Sequence, residues 1–314
     1  MRQYLVQRLL LLVPTVIGIT LLVAFLVRLL PGDIVDVIMG ESGGQVNAAQ
    51  LRQELGLNRS FPVYYADWAW GALHLNFGKT LRGGTPVSDE LKLRIPVTLE
   101  LSVLAMIVSI AVSLPVGTLS AIRQDTAVDY LGRSFAITAI AMPSFWWATL
   151  AVVFIPVIFG KAVPTYFQQL WVDPVENLEQ MWLPALILGL GISGSVMRLM
   201  RSTMLEVLRQ DYVRTAWAKG LGEARIVWGH TLKNAAIPVL SLIGVRLGRL
   251  LGGTVVMEQI FVIPGLGLLV LGAITERDYP LLQGVIVLFA AIFLLVNLIV
   301  DVLYAWLDPR IRYT

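Results

Sequence analysis

The sequence predicts an all-α integral membrane protein with six transmembrane helices. Hydrophobic residues make up 57% of the chain and charged residues only 14%, a balance too apolar to cover the surface of a soluble domain. Five stretches contain no Asp, Glu, Lys or Arg, and a sixth contains only two arginines. Each approaches or exceeds the roughly 18 to 20 residues that a helix needs to cross the hydrocarbon core. The stretches are Leu9–Val27, Leu101–Ile122, Ser134–Gly160, Gln180–Met197, Ile237–Met257 and Tyr279–Val300.

The first stretch is predicted to be a retained helix rather than a cleaved secretory signal. No small-residue cleavage site follows it, because Arg28 and then Leu-Leu-Pro-Gly-Asp come next. We therefore expect three parts in the chain. Residues 1–96 hold the first transmembrane helix and an extracytoplasmic helical segment, residues 97–305 a five-helix transmembrane core with a cytoplasmic loop at 205–236, and residues 306–314 a cytoplasmic tail.

The distribution of basic residues predicts the orientation in the membrane. Cytoplasmic segments are enriched in Lys and Arg, and this bias is counted over short loops. With the N-terminus inside, the short outer segments hold only Lys161 and Arg277. Both termini are therefore expected in the cytoplasm. The inner segments then hold Arg2, Arg8, Arg123, Arg133, seven basic residues between Arg198 and Lys233, and finally Arg310 and Arg312.

The long segment between the first two spans is predicted to contain two helices outside the membrane. Asn47 can cap the first helix, with Gln50 three residues later and Gly56 closing it. The second helix begins at Pro62, and its aromatic residues suit a membrane–water interface. Packing of this helix on the outer ends of the spans is an equally open interpretation. The aromatic residues are Tyr64, Tyr65, Trp68 and Trp70.

The loop between the fourth and fifth spans is predicted to hold a short helix followed by a sharp turn. Asp211 favours a helix start, because its carboxylate meets unpaired amide groups and the positive end of the helix dipole. Val213, Ala216 and Trp217 recur at helical spacing and are predicted to form a face that packs against a partner. Lys219-Gly220-Leu221-Gly222 then breaks the helix, since glycine accepts the left-handed turn.

Behind this turn, helical character is predicted to resume over Glu223–Asn234, and Pro238 is predicted to begin the fifth span. A short helix parallel to the membrane, with a sharp turn behind it, can pass rigid-body motion from a soluble motor into the spans. The alternative from periodicity alone is an amphipathic helix that lies on the membrane surface without a partner.

This loop resembles the coupling loop of bacterial ATP-binding-cassette importer permeases. Their general pattern is Glu-Ala-Ala, three residues and then Gly, with an Ile-x-Leu-Pro further on. Ala216 and Gly220 fit it, whereas Arg214 and Thr215 stand where Glu and Ala would be, and the proline comes late. These departures are typical of the dipeptide, oligopeptide and nickel subfamily. Its members have the strings Asp-Tyr-Val-Arg-Thr-Ala-x-Ala-Lys-Gly and His-x-Leu-Lys-Asn-Ala-x-x-Pro in this loop.

Other strings of this subfamily recur along nearly the whole chain, which looks like a B-type permease. They are Leu-Pro-Gly-Asp at 30–33, Leu-Gly-Leu at 55–57, Asn-Phe-Gly at 76–78, Gly-Gly-Thr-Val-Val-Met-Glu-Gln-Ile-Phe at 252–261, Pro-Gly-Leu-Gly at 264–267, Arg-Asp-Tyr-Pro at 277–280 and Leu-Asp-Pro-Arg-Ile-Arg-Tyr at 307–313.

The resemblance implies a type I importer permease fold in the bacterial inner membrane. This chain and a second, homologous permease would form a path for peptides that works by alternating access. Two cytoplasmic ATPase subunits would bind ATP and Mg, and an extracytoplasmic binding protein would deliver the substrate. The chain has no Gly-x-x-x-x-Gly-Lys-Ser/Thr phosphate loop, so we expect a non-catalytic subunit without a cofactor of its own. The ATPase-coupling residues would be Asp211, Tyr212, Val213, Arg214, Thr215, Ala216, Lys219, Gly220, Leu221 and Glu223.

The fifth span carries the candidates for the translocation path. Arg246 and Arg249 lie three residues apart and therefore on one helix face. Because a charge facing lipid is costly, they are expected to face a polar interior or a protein interface. They would meet a substrate carboxylate or peptide carbonyls; the alternatives are a salt bridge to the partner permease and snorkelling to the cytoplasmic side. Gly252, Gly253 and Glu258 are further path candidates, with a structural ion pair as the alternative for Glu258.

Composition excludes several other classes of function. The chain has no cysteine and only two histidines, so it forms no disulfide or zinc–thiolate site, and no metal site is predicted. A net charge of +3 gives no reason to expect nucleic acid. An ion-gradient secondary transporter remains as an alternative, although no inverted repeat is visible. Nickel chelates, glutathione and oligosaccharides remain alternative substrates, because specificity belongs largely to the delivery protein.

Overall fold

The structure is a computed structural model that describes residues 2–29, residue 52 and residues 58–307. The strings at 30–33 and 55–57, the tail from residue 308 and, apart from residue 52, the expected helix at Asn47–Leu55 lie outside the described residues. The described secondary structure is helical apart from one bridge between Lys79 and Pro86. The helices are α1 Arg2–Leu29, α2 Phe61–Leu73, α3 Val87–Ile122, α4 Ala127–Ala141, α5 Ser144–Phe159, α6 Pro174–Leu208, α7 Asp211–Ala218, α8 Leu232–Phe261, α9 Leu266–Thr275 and α10 Tyr279–Leu307, with a π-helical segment at Arg225–Thr231.

Every predicted span coincides with helical structure. Within the described residues, four helical stretches are long and apolar enough to cross a membrane, namely α3, α6, Arg225–Leu250 and α10. The number rises to six if each of two sharply bent pairs counts as one span, namely α4 with α5 and Gly252–Phe261 with α9. The apolar stretch Leu10–Leu26 of α1 is shorter than these spans. The all-α membrane fold class is confirmed. The predicted spans correspond, in order, to α1, α3, the pair α4 and α5, α6, α8 and α10.

The third predicted span is broken in the middle. Instead of one helix over Ser134–Gly160, α4 and α5 meet at an angle of 92°. The break falls at Met142 and Pro143, where Met142 is extended with ψ 123°. Proline lacks the amide donor and disfavours the α region for the residue before it. Pro143 therefore ends one helix and starts the next, whereas Pro115 and Pro156 lie inside α3 and α5.

The start of the fifth span also differs from the prediction. Helix α8 begins at Leu232, so Pro238 lies inside the helix rather than at its start. The π-helical segment Arg225–Thr231 runs directly into α8, so the helical backbone begins well before Pro238. From residue 223 onward, the segment behind α7 is helical backbone that runs into the transmembrane core.

The chain divides into two compact units. The first comprises Pro96–Gly267 and Phe293–Thr314, and the second comprises Arg2–Ile95 and Leu268–Ile292. The core of the first unit is formed by apolar side chains of α3, α5, α6 and α8. Methionine is frequent in it, and its unbranched thioether fills irregular gaps between helices. The buried methionines of this core include Met181, Met200, Met204 and Met257.

In the second unit, the aromatic helix α2 packs on the transmembrane helices. The Tyr65 hydroxyl lies 2.8 Å from the Thr20 hydroxyl on α1, and the rings of Phe61 and Phe25 contact edge to face. The Tyr64 hydroxyl donates to the Gln283 side chain of α10 at 3.0 Å. The predicted helix after Pro62 is confirmed, and these contacts favour the packing interpretation of its aromatic residues.

Asp278 fixes the start of α10 in the same unit. Its carboxylate accepts from the Leu281 amide at 3.1 Å and from the Leu81 amide at 2.8 Å. The first contact caps the helix, and the second holds the turn before α3. Burial raises the pKa of the Asp278 carboxyl above its usual range, while the two amide donors oppose that rise.

Candidate functional site

Helix α7 ends in a turn that only glycine adopts without strain. Gly220 has φ +78°, in the left-handed region. Its amide donates to the Trp217 carbonyl at 2.9 Å, and the Leu221 amide donates to the Ala216 carbonyl at 3.3 Å. This pair of hydrogen bonds is a Schellman motif, which satisfies carbonyls at a helix end. The predicted helix start at Asp211 and the predicted break at Gly220 are both confirmed.

The inner face of α7 is buried within this chain. Val213 and Ala216 form a small apolar cluster with Ile226 of the π-helical segment, and Leu221 packs against it. The prediction that Val213 and Ala216 present a face to a partner is therefore wrong. Helical spacing reveals which residues share a face, but it does not reveal what that face contacts. The apolar face of this eight-residue helix packs against its own chain.

The outer face of α7 is exposed and charged. The side chains of Asp211 and Arg214 are 95% and 74% exposed and form an ion pair at 3.3 Å. Trp217 is also exposed, whereas the Tyr212 hydroxyl accepts from the Asn234 side chain at 2.9 Å. Helix α7 is thus fastened to α8 on one side and open on the other. Thr215, Lys219 and Glu223 are exposed as well.

A cationic cavity lies between α4, α5, α6 and α8. It has a volume of about 330 Å³, and its lining includes Arg246, Arg249 and Gly253 together with Ser144 and Ser195. The Nε atom of Arg246 is buried and has no hydrogen-bond partner within the described part of the chain. The described lining contains two arginines and no acidic residue. Such a cavity favours an anion that brings its own acceptor oxygens.

Two of the path candidates lie apart from this cavity. Gly252 is not among the residues that line it. Glu258 is buried, and its carboxylate accepts from the Thr98 hydroxyl at 2.8 Å and from the Gly267 amide at 2.6 Å. The Thr98 hydroxyl in turn accepts from the Leu266 amide at 2.8 Å. Glu258 and Thr98 therefore cap the amino terminus of α9, which begins just after the 80° bend from α8.

Sequence reasoning missed a buried ion pair between α4 and α6. The Arg201 guanidinium donates two parallel hydrogen bonds to Asp129, both 2.7 Å long. The Ser120 hydroxyl at the end of α3 and the Asp125 amide also donate to this carboxylate. We call these residues the Asp129 clamp. The clamp joins α3, α4 and α6. Arg201 lies about two turns before the end of α6, which leads into α7.

Comparisons with known proteins agree with this architecture. Residues 113–313 match the family described as binding-protein-dependent transport system inner membrane component. The dipeptide transport system permease protein DppB of Escherichia coli K12 is 38% identical over 337 residues, covering 100% of this chain and 99% of the relative. DppB of Alkalihalophilus pseudofirmus is 36% identical, covering 100% of each. A putative peptide transport system permease of Brucella abortus is 37% identical, covering 96% of each.

The fold has a counterpart among solved structures. A chain of the MetNI methionine ABC transporter, in inward facing conformations, superposes with a TM-score of 0.57. The superposition covers 70% of this chain and 96% of that chain at 17% identity. This similarity shows the fold alone, and it confirms the type I permease fold. Together with the family match, it establishes that the chain belongs to the binding-protein-dependent transport system inner membrane components, the membrane-spanning subunits of ABC importers.

Proposed function

We propose that the chain is the permease subunit of an ATP-driven importer of di- or oligopeptides. The names of its full-length relatives, which are dipeptide and peptide transport permeases, support this substrate class. A second permease would complete the path, two cytoplasmic ATPases would bind ATP and Mg and supply the energy, and an extracytoplasmic protein would deliver the peptide. Both termini lie in the cytoplasm in this proposal.

The observation that carries the proposal is the two-sided construction of α7. Its apolar face is fastened to the core, and its charged face with Asp211, Arg214 and Trp217 is open. An ATPase subunit seats against the open face. The continuous backbone from α6 through α7 into α8 then converts closure of the ATPase pair into movement of the spans.

The orientation can be tested by labelling single cysteines, since the chain has no native cysteine. Gln210→Cys lies just before α7, and Thr165→Cys lies in the exposed segment between α5 and α6. We expect an impermeant thiol reagent added outside intact cells to label Thr165→Cys only. Labelling of Gln210→Cys should require permeabilised cells. The reverse pattern would invert the topology and remove α7 from the ATPase side.

The coupling role predicts a specific defect in Gly220→Val. Valine resists φ +78°, and a left-handed residue costs about 1–2 kcal/mol. We expect a folded, membrane-inserted complex that binds its ATPase several-fold more weakly or hydrolyses ATP without transport. Gly222→Val is the matched control, because Gly222 has open space but no positive φ. Equal ATPase association and coupled transport in both variants would contradict the coupling role.

The path role predicts that Arg246→Gln with Arg249→Gln impairs uptake of peptides according to their charge. Glutamine keeps donors but loses the positive charge, and partly desolvated charge pairs are stronger than exposed ones. We expect uptake of a peptide with a free carboxylate to fall about tenfold or more, and uptake of its amide to change little. Arg198→Gln, an exposed arginine of α6 outside the cavity, is the control. Equal losses for both peptides with poor subunit recovery would instead assign the arginines to the partner permease.

A further inference from the structure

The cationic cavity shares part of its lining with a larger apolar cavity. This second cavity has a volume of about 630 Å³ and lies between the bent pair α4 and α5 and helix α6. Both cavities are lined by Ala139 and Gly191. We infer that they form one two-part substrate site, in which the arginines hold a carboxylate and the apolar cavity holds the bulky side chain next to it. This inference rests on the proposed path role of the arginines and names the substrates that the path favours.

The apolar part is built for a bulky, uncharged group. Phe135, Trp147 and Phe154 supply aromatic surface, and Leu183 and Leu190 close the opposite wall. Thr138 and the indole N–H of Trp147 supply the polar side-chain atoms of the lining. The volume falls within the range of about 300–1,000 Å³ that is typical of sites for small molecules.

The shared wall is made of two small residues, Ala139 and Gly191. A Cβ atom added at Gly191 would contact only Ser144 Cβ, at 3.9 Å. The space beside Gly191 is therefore not filled by packing. In the two-part site, the ligand extends from one cavity into the other at this point. A carboxylate and a large apolar group bonded to the same carbon occur together at the carboxyl-terminal residue of a peptide. The favoured substrates are thus peptides that end in a residue such as Leu or Phe.

The test measures direct binding to the complete transporter in lipid nanodiscs without the delivery protein, so that the selectivity of that protein does not enter. The probes are the dipeptides Ala-Leu and Ala-Ser and the amide of Ala-Leu. A hydrophobic pocket commonly discriminates by ten- to 200-fold per methylene, so we expect Ala-Leu to bind at least about tenfold more tightly than Ala-Ser. Phe154→Ala should reduce this preference to about threefold or less.

Two further variants separate loss of the cavity from loss of the fold. Phe145→Ala is the matched control for Phe154→Ala, because the two phenylalanines are 51% and 50% exposed on α5 and only Phe154 lines the apolar cavity. It should leave the preference unchanged. Gly191→Leu has room for its Cβ atom and places a bulky side chain at the wall that the two cavities share. It should weaken binding of Ala-Leu more than binding of Ala-Ser.

The outcomes distinguish this inference from the proposed function. If Phe154→Ala and Gly191→Leu keep the Ala-Leu preference of the native protein, the inference is overturned, and the apolar cavity belongs to a lipid chain or to the neighbouring permease. If Arg246→Gln with Arg249→Gln leaves the preference for Ala-Leu over its amide unchanged, the path role of the arginines fails instead.

Discussion

We expect Asp129→Ala to lower the free energy of unfolding by about 3 kcal/mol. Removing one partner of a buried pair leaves the other charge uncompensated, which costs about 3–5 kcal/mol. The Asp129 side chain is fully buried, but the Arg201 side chain is 19% exposed, so that solvent screens part of the remaining charge and the lower end applies. The change also leaves the Ser120 hydroxyl and the Asp125 amide without their acceptor. Denaturant titration followed by the fluorescence of the nine tryptophans measures the effect.

Asp211→Ala is the matched control for this prediction. It removes a carboxylate that is also ion-paired to an arginine, but this pair is exposed on α7. Exposed pairs contribute about 0–1 kcal/mol, so the control should change stability little. Replacing both clamp partners by apolar residues, as in Asp129→Leu with Arg201→Met, should recover most of the loss, because no charge is left buried. A loss for Asp129→Ala no larger than that of Asp211→Ala would show that the clamp is not formed in the folded protein.

Local and periodic features of the fold were predictable from the sequence. The spans follow from charge-free intervals, because a charged side chain that faces lipid costs free energy. The start of α7 at Asp211 and its end at Gly220 follow from backbone chemistry that acts within one turn. Two charges within an apolar span mark Arg246 and Arg249 as candidates for a polar interior. The structure brings both residues together in the lining of one cavity.

Features that depend on long-range contacts were not predictable. Asp129 and Arg201 are 72 residues apart and belong to different helices, so no spacing rule links them. The predicted contact of Val213 and Ala216 with a partner was wrong for the same reason. Periodicity does not say whether a helix face packs against its own chain or against a partner. The break at Pro143 was not predictable either, because proline alone does not distinguish a kink within one helix from a bend of 92° between two.

Contacts at the bend between α8 and α9 explain two of the sequence strings, the one at 252–261 and the one at 264–267. Glu258 from the first string accepts the amide of Gly267 from the second, and Thr98 of α3 completes the cap. A Cβ atom at Gly267 would lie 2.5 Å from Val255 Cα and 2.8 Å from Glu258 Oε2. Real Cβ atoms do not approach backbone so closely. The second glycine of Pro-Gly-Leu-Gly is therefore needed for the close approach of Gly267 to Val255.

We expect Gly267→Ala to destabilise the protein by about 3 kcal/mol, the upper end of the usual cost of overpacking. The obstructing atom Val255 Cα is backbone and cannot rotate away, and the displaced Glu258 carboxylate would lose its buried donors. Gly272→Ala on the same helix is the control, because a Cβ there meets nothing within 4 Å. Alanine should stabilise the helix at that site by up to about 1 kcal/mol. Tryptophan fluorescence during denaturation compares the two variants, and equal stability would mean that Gly267 does not approach Val255 as described.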